Sequence, residues 1–85
     1  MGQYGKLVQR ILTGRQDNSI LFSEVVSLMQ RLGFSMHTRG SHHIFSQESI
    51  DEIINLQPDG SKAKAYQVKQ IRELMVKYQL GVEDE

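Results

Sequence analysis

The sequence predicts an α+β domain of two layers, with hairpin-linked strands covered on one face by helices. Three observations carry this. Apolar residues recur at helical spacing near the start, again over residues 22–32 and again over 66–78. Between the second and third of these stretches, Phe34–Arg39 alternates apolar and polar, the period of a half-buried strand. Glycine-bearing turns, Gly40-Ser41 and Pro58-Asp59-Gly60, punctuate the strand region.

Taken in order, Tyr4, Leu7, Val8, Ile11 and Leu12 predict a short amphipathic helix over 3–13, stopped by Gly14 and followed by a polar connector, Arg15-Gln16-Asp17-Asn18-Ser19. This first helix is expected to be peripheral and without chemistry. Ser23 is the expected N-cap of the second helix, because its hydroxyl can accept from a free N–H of the first turn. Val25, Val26, Leu28, Met29 and Leu32 form that helix's core stripe, and Gly33 ends it. The first strand is Phe34–Arg39 and the second His42–Ser46, with 47–51 as loop or short turn. Glu52–Gln57 reads as a third strand, although Ile50, Ile53 and Ile54 also suit one helical turn. Residues 61–65 lead into a last helix marked by Tyr66, Val68, Ile71, Leu74, Met75 and Tyr78, with Gly81 beyond it and an acidic tail expected to fray.

Eighty-five residues make one small domain, and without cysteine there is neither a disulfide framework nor a thiolate metal site. No apolar run approaches the roughly 20 residues that span a bilayer, and Met1–Arg10 lacks the apolar core of a signal peptide. A soluble, cytoplasmic protein is expected. Net charge is zero, yet it is unevenly spread. Residues 1–45 hold five basic side chains (Lys6, Arg10, Arg15, Arg31, Arg39) against two acidic, and 61–80 hold five (Lys62, Lys64, Lys69, Arg72, Lys77) against one. A basic surface is compatible with that balance, and so are ordinary solvated faces.

The chemistry is expected around Arg39-Gly40-Ser41-His42-His43-Ile44-Phe45. Imidazole exchanges protons near neutral pH, its unperturbed pKa being about 6.5. Side chains alternate across a strand, so His42 and Ile44 share one face, His43 and Phe45 the other. If Phe45 faces the helices, His43 lies inward as a hydrogen-bonded structural ring and His42 is free to meet a substrate. Ile44 is also apolar, so the inverse stays open. Adjacent strand histidines point apart and make poor co-ligands for one metal; no metal and no cofactor are expected, and His37 is assigned no part. Ser41 suits a turn, or a hydrogen bond to phosphate or imidazole; no Ser-His-Asp set is visible for nucleophilic catalysis.

The element Gly40-Ser41-His42-His43-Ile44-Phe45, following a helix that ends in Leu32-Gly33-Phe34, resembles the HicA toxins of bacterial toxin–antitoxin systems. The stretch from Lys62 through Tyr66-Gln67-Val68-Lys69-Gln70 to Tyr78-Gln79-Leu80 occupies the place of that family's final helix. The resemblance covers about residues 22–80. It implies a fold like a double-stranded-RNA-binding domain: a three-stranded antiparallel sheet packed on one face by two helices, here with an extra N-terminal helix. The division is then 1–18 as helix and connector, 19–81 as the HicA-like domain and 82–85 as acidic tail. It further implies a metal-independent mRNA interferase, an endoribonuclease using one histidine, with an HicB-like antitoxin protein that covers the site. By motif position the catalytic role falls to His42, with His43 as the alternative. Arg39, Gly40, Ser41, Lys62 and Lys64 become candidates for holding the RNA substrate. Two departures stand out: family toxins are often basic whereas this chain is neutral, and the first helix extends beyond the family core. Two other functions fit the same residues. One is a non-catalytic module that grips double-stranded RNA by shape. The other is an inactive HicA-like interaction domain, with a homodimer formed through the first helix.

Overall fold

The computed structural model describes residues 3–80. Its elements run α1 (Gln3–Thr13), a short 3-10 turn (Asp17–Ser19), α2 (Phe22–Arg31), β1 (Ser35–Arg39), β2 (His42–Gln47), β3 (Ile50–Leu56), β4 (Pro58–Asp59), β5 (Lys62–Ala63) and α3 (Ala65–Tyr78). Strands β1, β2 and β3 form one antiparallel sheet in that order. This is the expected α+β arrangement, similar to a double-stranded-RNA-binding domain. No helix among the described residues is long and apolar enough to cross a membrane.

Sheet polarity follows the alternation in β2 and β3. Phe45, Ile54 and Leu56 turn one face toward the helices and are buried, with Phe45 and Leu56 fully so. The opposite face carries His37, Arg39, His42, Ile44, Ile53 and Asn55, all exposed except the half-buried Ile44. Residues 47–51, expected as loop or short turn, hold a short turn at Glu48-Ser49, while Gln47 and Ile50 pair across it as strand. The register shifts between Phe45 and Gln47, a bulge that accommodates extra β3 residues. That irregularity explains why isoleucine spacing at 50, 53 and 54 mimics a helical turn within a strand.

Helix α1 is not peripheral. Leu7, Val8 and Ile11 enter the same core as Val25, Leu28 and Met29 of α2 and Val68, Ile71 and Met75 of α3, with Ile11 fully buried. Burying one such side chain contributes about 1.5–3 kcal/mol, so α1 is a structural part of the fold. Its end is fastened from α3. Arg72 donates to the Ile11 carbonyl at 3.1 Å, one of the carbonyls the helix end leaves unpaired, and grips both carboxylate oxygens of Asp17. Gly14 passes beneath that guanidinium at φ +74, and a Cβ there would lie 3.1 Å from Arg72 Nη1.

Helix α2 is capped two residues earlier than the expected Ser23. Leu21 stands at the N-cap and has no side-chain acceptor; instead Glu24 Oε1 accepts from the Leu21 N–H at 2.9 Å. Its far end matches expectation. Gly33 adopts φ +100, while the Gly33 and Phe34 N–H groups reach back to the carbonyls of Gln30 and Met29. Helix α3 closes the same way without glycine: Gln79 takes φ 56 and Leu80 N–H donates to the Met75 carbonyl at 2.8 Å. The expected stop at Gly81 and the acidic tail lie outside the described residues.

The lead-in at 61–65 contains an unexpected small hairpin. Strand β5 pairs with β4, and Lys62 also bridges Leu21. Ala63 N–H donates to Ile20 O, and Phe22 N–H donates to Ser61 O, both at 2.9 Å. The hairpin thereby joins the start of α2 to the start of α3.

Candidate active site on the open sheet face

Two strand ends and a tight turn build the site. Arg39 and His42 are cross-strand partners flanking the two-residue connection Gly40-Ser41. Gly40 has φ +58 while Ser41 stays at negative φ, the pattern of a type II′ hairpin turn, in which the first central position takes glycine. Directly opposed residues project to one side with Cβ atoms about 5 Å apart. Arg39 and His42 therefore share the open face, and both are exposed.

His42 is oriented at both ring nitrogens. Nδ1 lies 3.2 Å from Asn55 Oδ1 and Nε2 lies 3.2 Å from Gln57 Nε2. The Asn55 oxygen only accepts, so Nδ1 carries the proton; Nε2 then presents its lone pair to the Gln57 amide. Gln57 Nε2 also donates to Ser41 Oγ at 3.3 Å. The two contacts hold the ring in one orientation, with Nε2 at the protein surface.

His43 turns the other way. Its ring sits edge-on to Phe22, with centroids 4.9 Å apart, and Nδ1–H donates to the Ser41 carbonyl at 3.2 Å. It is half-buried on the helix-facing side of β2. His37 is exposed on β1, opposite Ile44.

The other candidates are more scattered. Lys62 is exposed on β5 and Lys64 precedes α3 as its N-cap. Among the described residues neither is hydrogen-bonded to the His42 cluster, and neither they nor Arg39 has a carboxylate partner. Three cations counted toward a basic surface are engaged internally. Arg10 pairs with Glu24 at 3.1 Å, Arg72 with Asp17 at 3.0 Å and Lys77 with Glu52 at 2.6 Å. Two of the basic residues along α3 are therefore neutralised at source. The hydrogen bonds that Arg72 donates to Asp17 raise the Arg72 pKa, and the one that Lys77 donates to Glu52 raises the Lys77 pKa.

Asn55 and Gln57 were not among the residues singled out from sequence. Their only local signal is the polar half of a strand alternation. Their relation to His42 arises from the β2–β3 register, which sets Ile44 opposite Asn55 and so makes His42 and Asn55 diagonal neighbours.

These features define a class: a small α+β domain of the double-stranded-RNA-binding type, with an exposed, oriented imidazole beside an unpaired arginine on its open sheet face. The chain belongs to the HicA toxins of bacterial toxin–antitoxin systems, whose family model matches residues 22–80, well over half its length. Membership implies a cognate antitoxin as partner. The match begins at α2, so α1 and its connector lie outside it. No curated protein and no solved structure matches the chain.

Proposed function

We propose that the chain is an mRNA interferase, a cytoplasmic endoribonuclease that cleaves RNA by proton transfer through His42, and that a HicB-like antitoxin silences it by covering the open sheet face. The observation that carries this is the state of His42: exposed, with Nδ1–H held by Asn55 and the Nε2 lone pair turned to the surface.

RNA supplies its own nucleophile. A 2′-hydroxyl replaces the Gln57 amide as the donor to Nε2 and gives up its proton there. The 2′-oxygen forms a bond to the adjacent phosphorus, and the bond from phosphorus to the 5′-oxygen breaks. The leaving 5′-oxygen takes a proton from water, so the products are a 2′,3′-cyclic phosphate and a 5′-hydroxyl. The resulting imidazolium is steadied by the Asn55 carbonyl oxygen. Arg39, with no carboxylate to neutralise it, offsets charge on the phosphoryl oxygens, and the Gly40-Ser41 turn lets the backbone approach. Lys62 and Lys64 hold flanking phosphates. No step requires a metal ion, since the nucleophile and the base are both in hand.

The test is cleavage of RNA by the purified chain in chelator, with product ends identified by mass spectrometry. His42→Ala is expected to lower the rate about 10²–10⁴-fold, and His43→Ala far less. Cyclic phosphate ends from wild type and none from His42→Ala support the assignment. Equal cleavage by both removes it. Binding of RNA without strand loss would indicate the non-catalytic module.

A further inference from the structure

Gln67 is the one buried polar side chain among the described residues, at 1% exposure. An amide in that position is unfavourable unless its donor and acceptor are both satisfied. Both are satisfied by a single residue. With the amide oriented so that donor meets acceptor, Gln67 nitrogen donates to the Gln57 carbonyl and Gln67 oxygen accepts from the Gln57 N–H, each at 3.0 Å. The side chain thus imitates the reciprocal pairing of a neighbouring antiparallel strand. Gln57 needs that imitation. It lies between the end of β3 at Leu56 and the start of β4 at Pro58, and neither strand pairing includes it.

The clamped residue is the one that meets the imidazole. Gln57 Nε2 places its two hydrogens on Ser41 Oγ, at 3.3 Å, and on His42 Nε2, at 3.2 Å. A continuous path therefore runs from the first turn of α3 through the Gln57 backbone and side chain to the basic nitrogen of His42.

We infer that Gln67 is a positioning residue: by clamping the Gln57 backbone from α3 it sets the amide that aims the His42 Nε2 lone pair. This rests on the ribonuclease reading for its catalytic consequence, but not for its structural one. Filling space alone would be served equally by methionine, which matches glutamine in length and lacks the amide.

The deciding experiment compares wild type, Gln67→Met and Gln57→Leu in the full chain, by ring 15N resonances of neutral His42 and by steady-state RNA cleavage. Gln67→Met is expected to move the His42 Nε2 resonance toward that of an imidazole without a donor. It should lower kcat about 10-fold or more while leaving KM within about twofold, as a misaimed base does. Gln57→Leu should move the same resonance the same way, and Gln67→Leu, which also lacks the amide, takes the place of Gln67→Met if that chain does not fold. A His42 Nε2 resonance and kcat at wild-type values in the folded Gln67→Met chain overturn the inference. If wild type cleaves no RNA, the ribonuclease reading falls, while the resonance still decides the clamp.

Discussion

Arg72 of α3 and Asp17 of the connector, 55 residues apart, meet through two parallel hydrogen bonds of 3.0 and 3.1 Å. The same guanidinium accounts for the Ile11 carbonyl at the end of α1. Each partner's side chain is about one-fifth exposed, so solvent weakens the pair without abolishing it. Arg72→Met is expected to destabilise the fold by about 1–2 kcal/mol, read by urea denaturation. Asp17→Asn should cost less, and the double mutant less than the sum, because both remove one interaction.

Ile11→Ala should be worse. Ile11 is fully buried among α1, α2 and α3. Deleting a buried aliphatic chain removes its transfer energy and leaves a cavity, together about 2–5 kcal/mol. The midpoint of thermal unfolding would report it. A change indistinguishable from a surface substitution would contradict the packing of α1.

Glu52 and Lys77 give a pH signature away from the site. The hydrogen bond from Lys77 holds the Glu52 carboxyl below the usual carboxylate range, against a smaller opposing effect of desolvation, and the Lys77 ammonium is raised in turn. The lowered group stabilises the fold at pH above its unfolded pKa, and that contribution fades as pH falls through the folded value. The raised group does the reverse, losing its contribution as pH rises through its folded value. NMR titration should show Glu52 titrating low in wild type and higher in Lys77→Met, where the Tyr78 hydroxyl remains its hydrogen-bond donor.

Gln79 and Gly40 both sit at positive φ, 56° and 58°. A non-glycine residue there costs about 1 kcal/mol. Gln79→Gly should therefore stabilise the chain by roughly that amount, less some unfolded-state entropy. Gly40→Ala should destabilise it through backbone strain alone, because nothing lies within 4 Å of the added carbon. Its larger effect is expected on cleavage, since Gly40 fixes the turn that sets Arg39 beside His42.

Much of this was readable in the linear order of residues. Gly33, Gly40 and Gly60 announce their turns chemically, and the strand alternation around Phe45 separates the faces of His42 and His43. The remainder depends on contacts between distant segments. Asn55 and Gln57 gain meaning only once β3 is in register with β2, and Gln67 only once α3 lies against residue 57. Strands as short as β4 and β5 have no period to detect. Ser23 misled because Glu24 supplies an equally good partner for the helix start, two residues before where a hydroxyl would have placed it. Charge counts are equally blind to pairing, since Arg10, Arg72 and Lys77 are answered by carboxylates far away in the chain.

Those internal pairings bear on RNA affinity. If Arg39, Lys62 and Lys64 are the phosphate contacts, the slope of log affinity against log salt for single-stranded RNA should be about −2, at roughly −0.7 per contact. A much steeper slope would require cations elsewhere on the surface.

The seating of α1 has a practical corollary for anyone who trims the gene to its family-matched span. Without residues 3–19, the flank of α2 and α3 now sealed by Leu7, Val8 and Ile11 would face water as a greasy scar. Such a shortened toxin would aggregate or be degraded, and its harmlessness to cells would say nothing about the histidine.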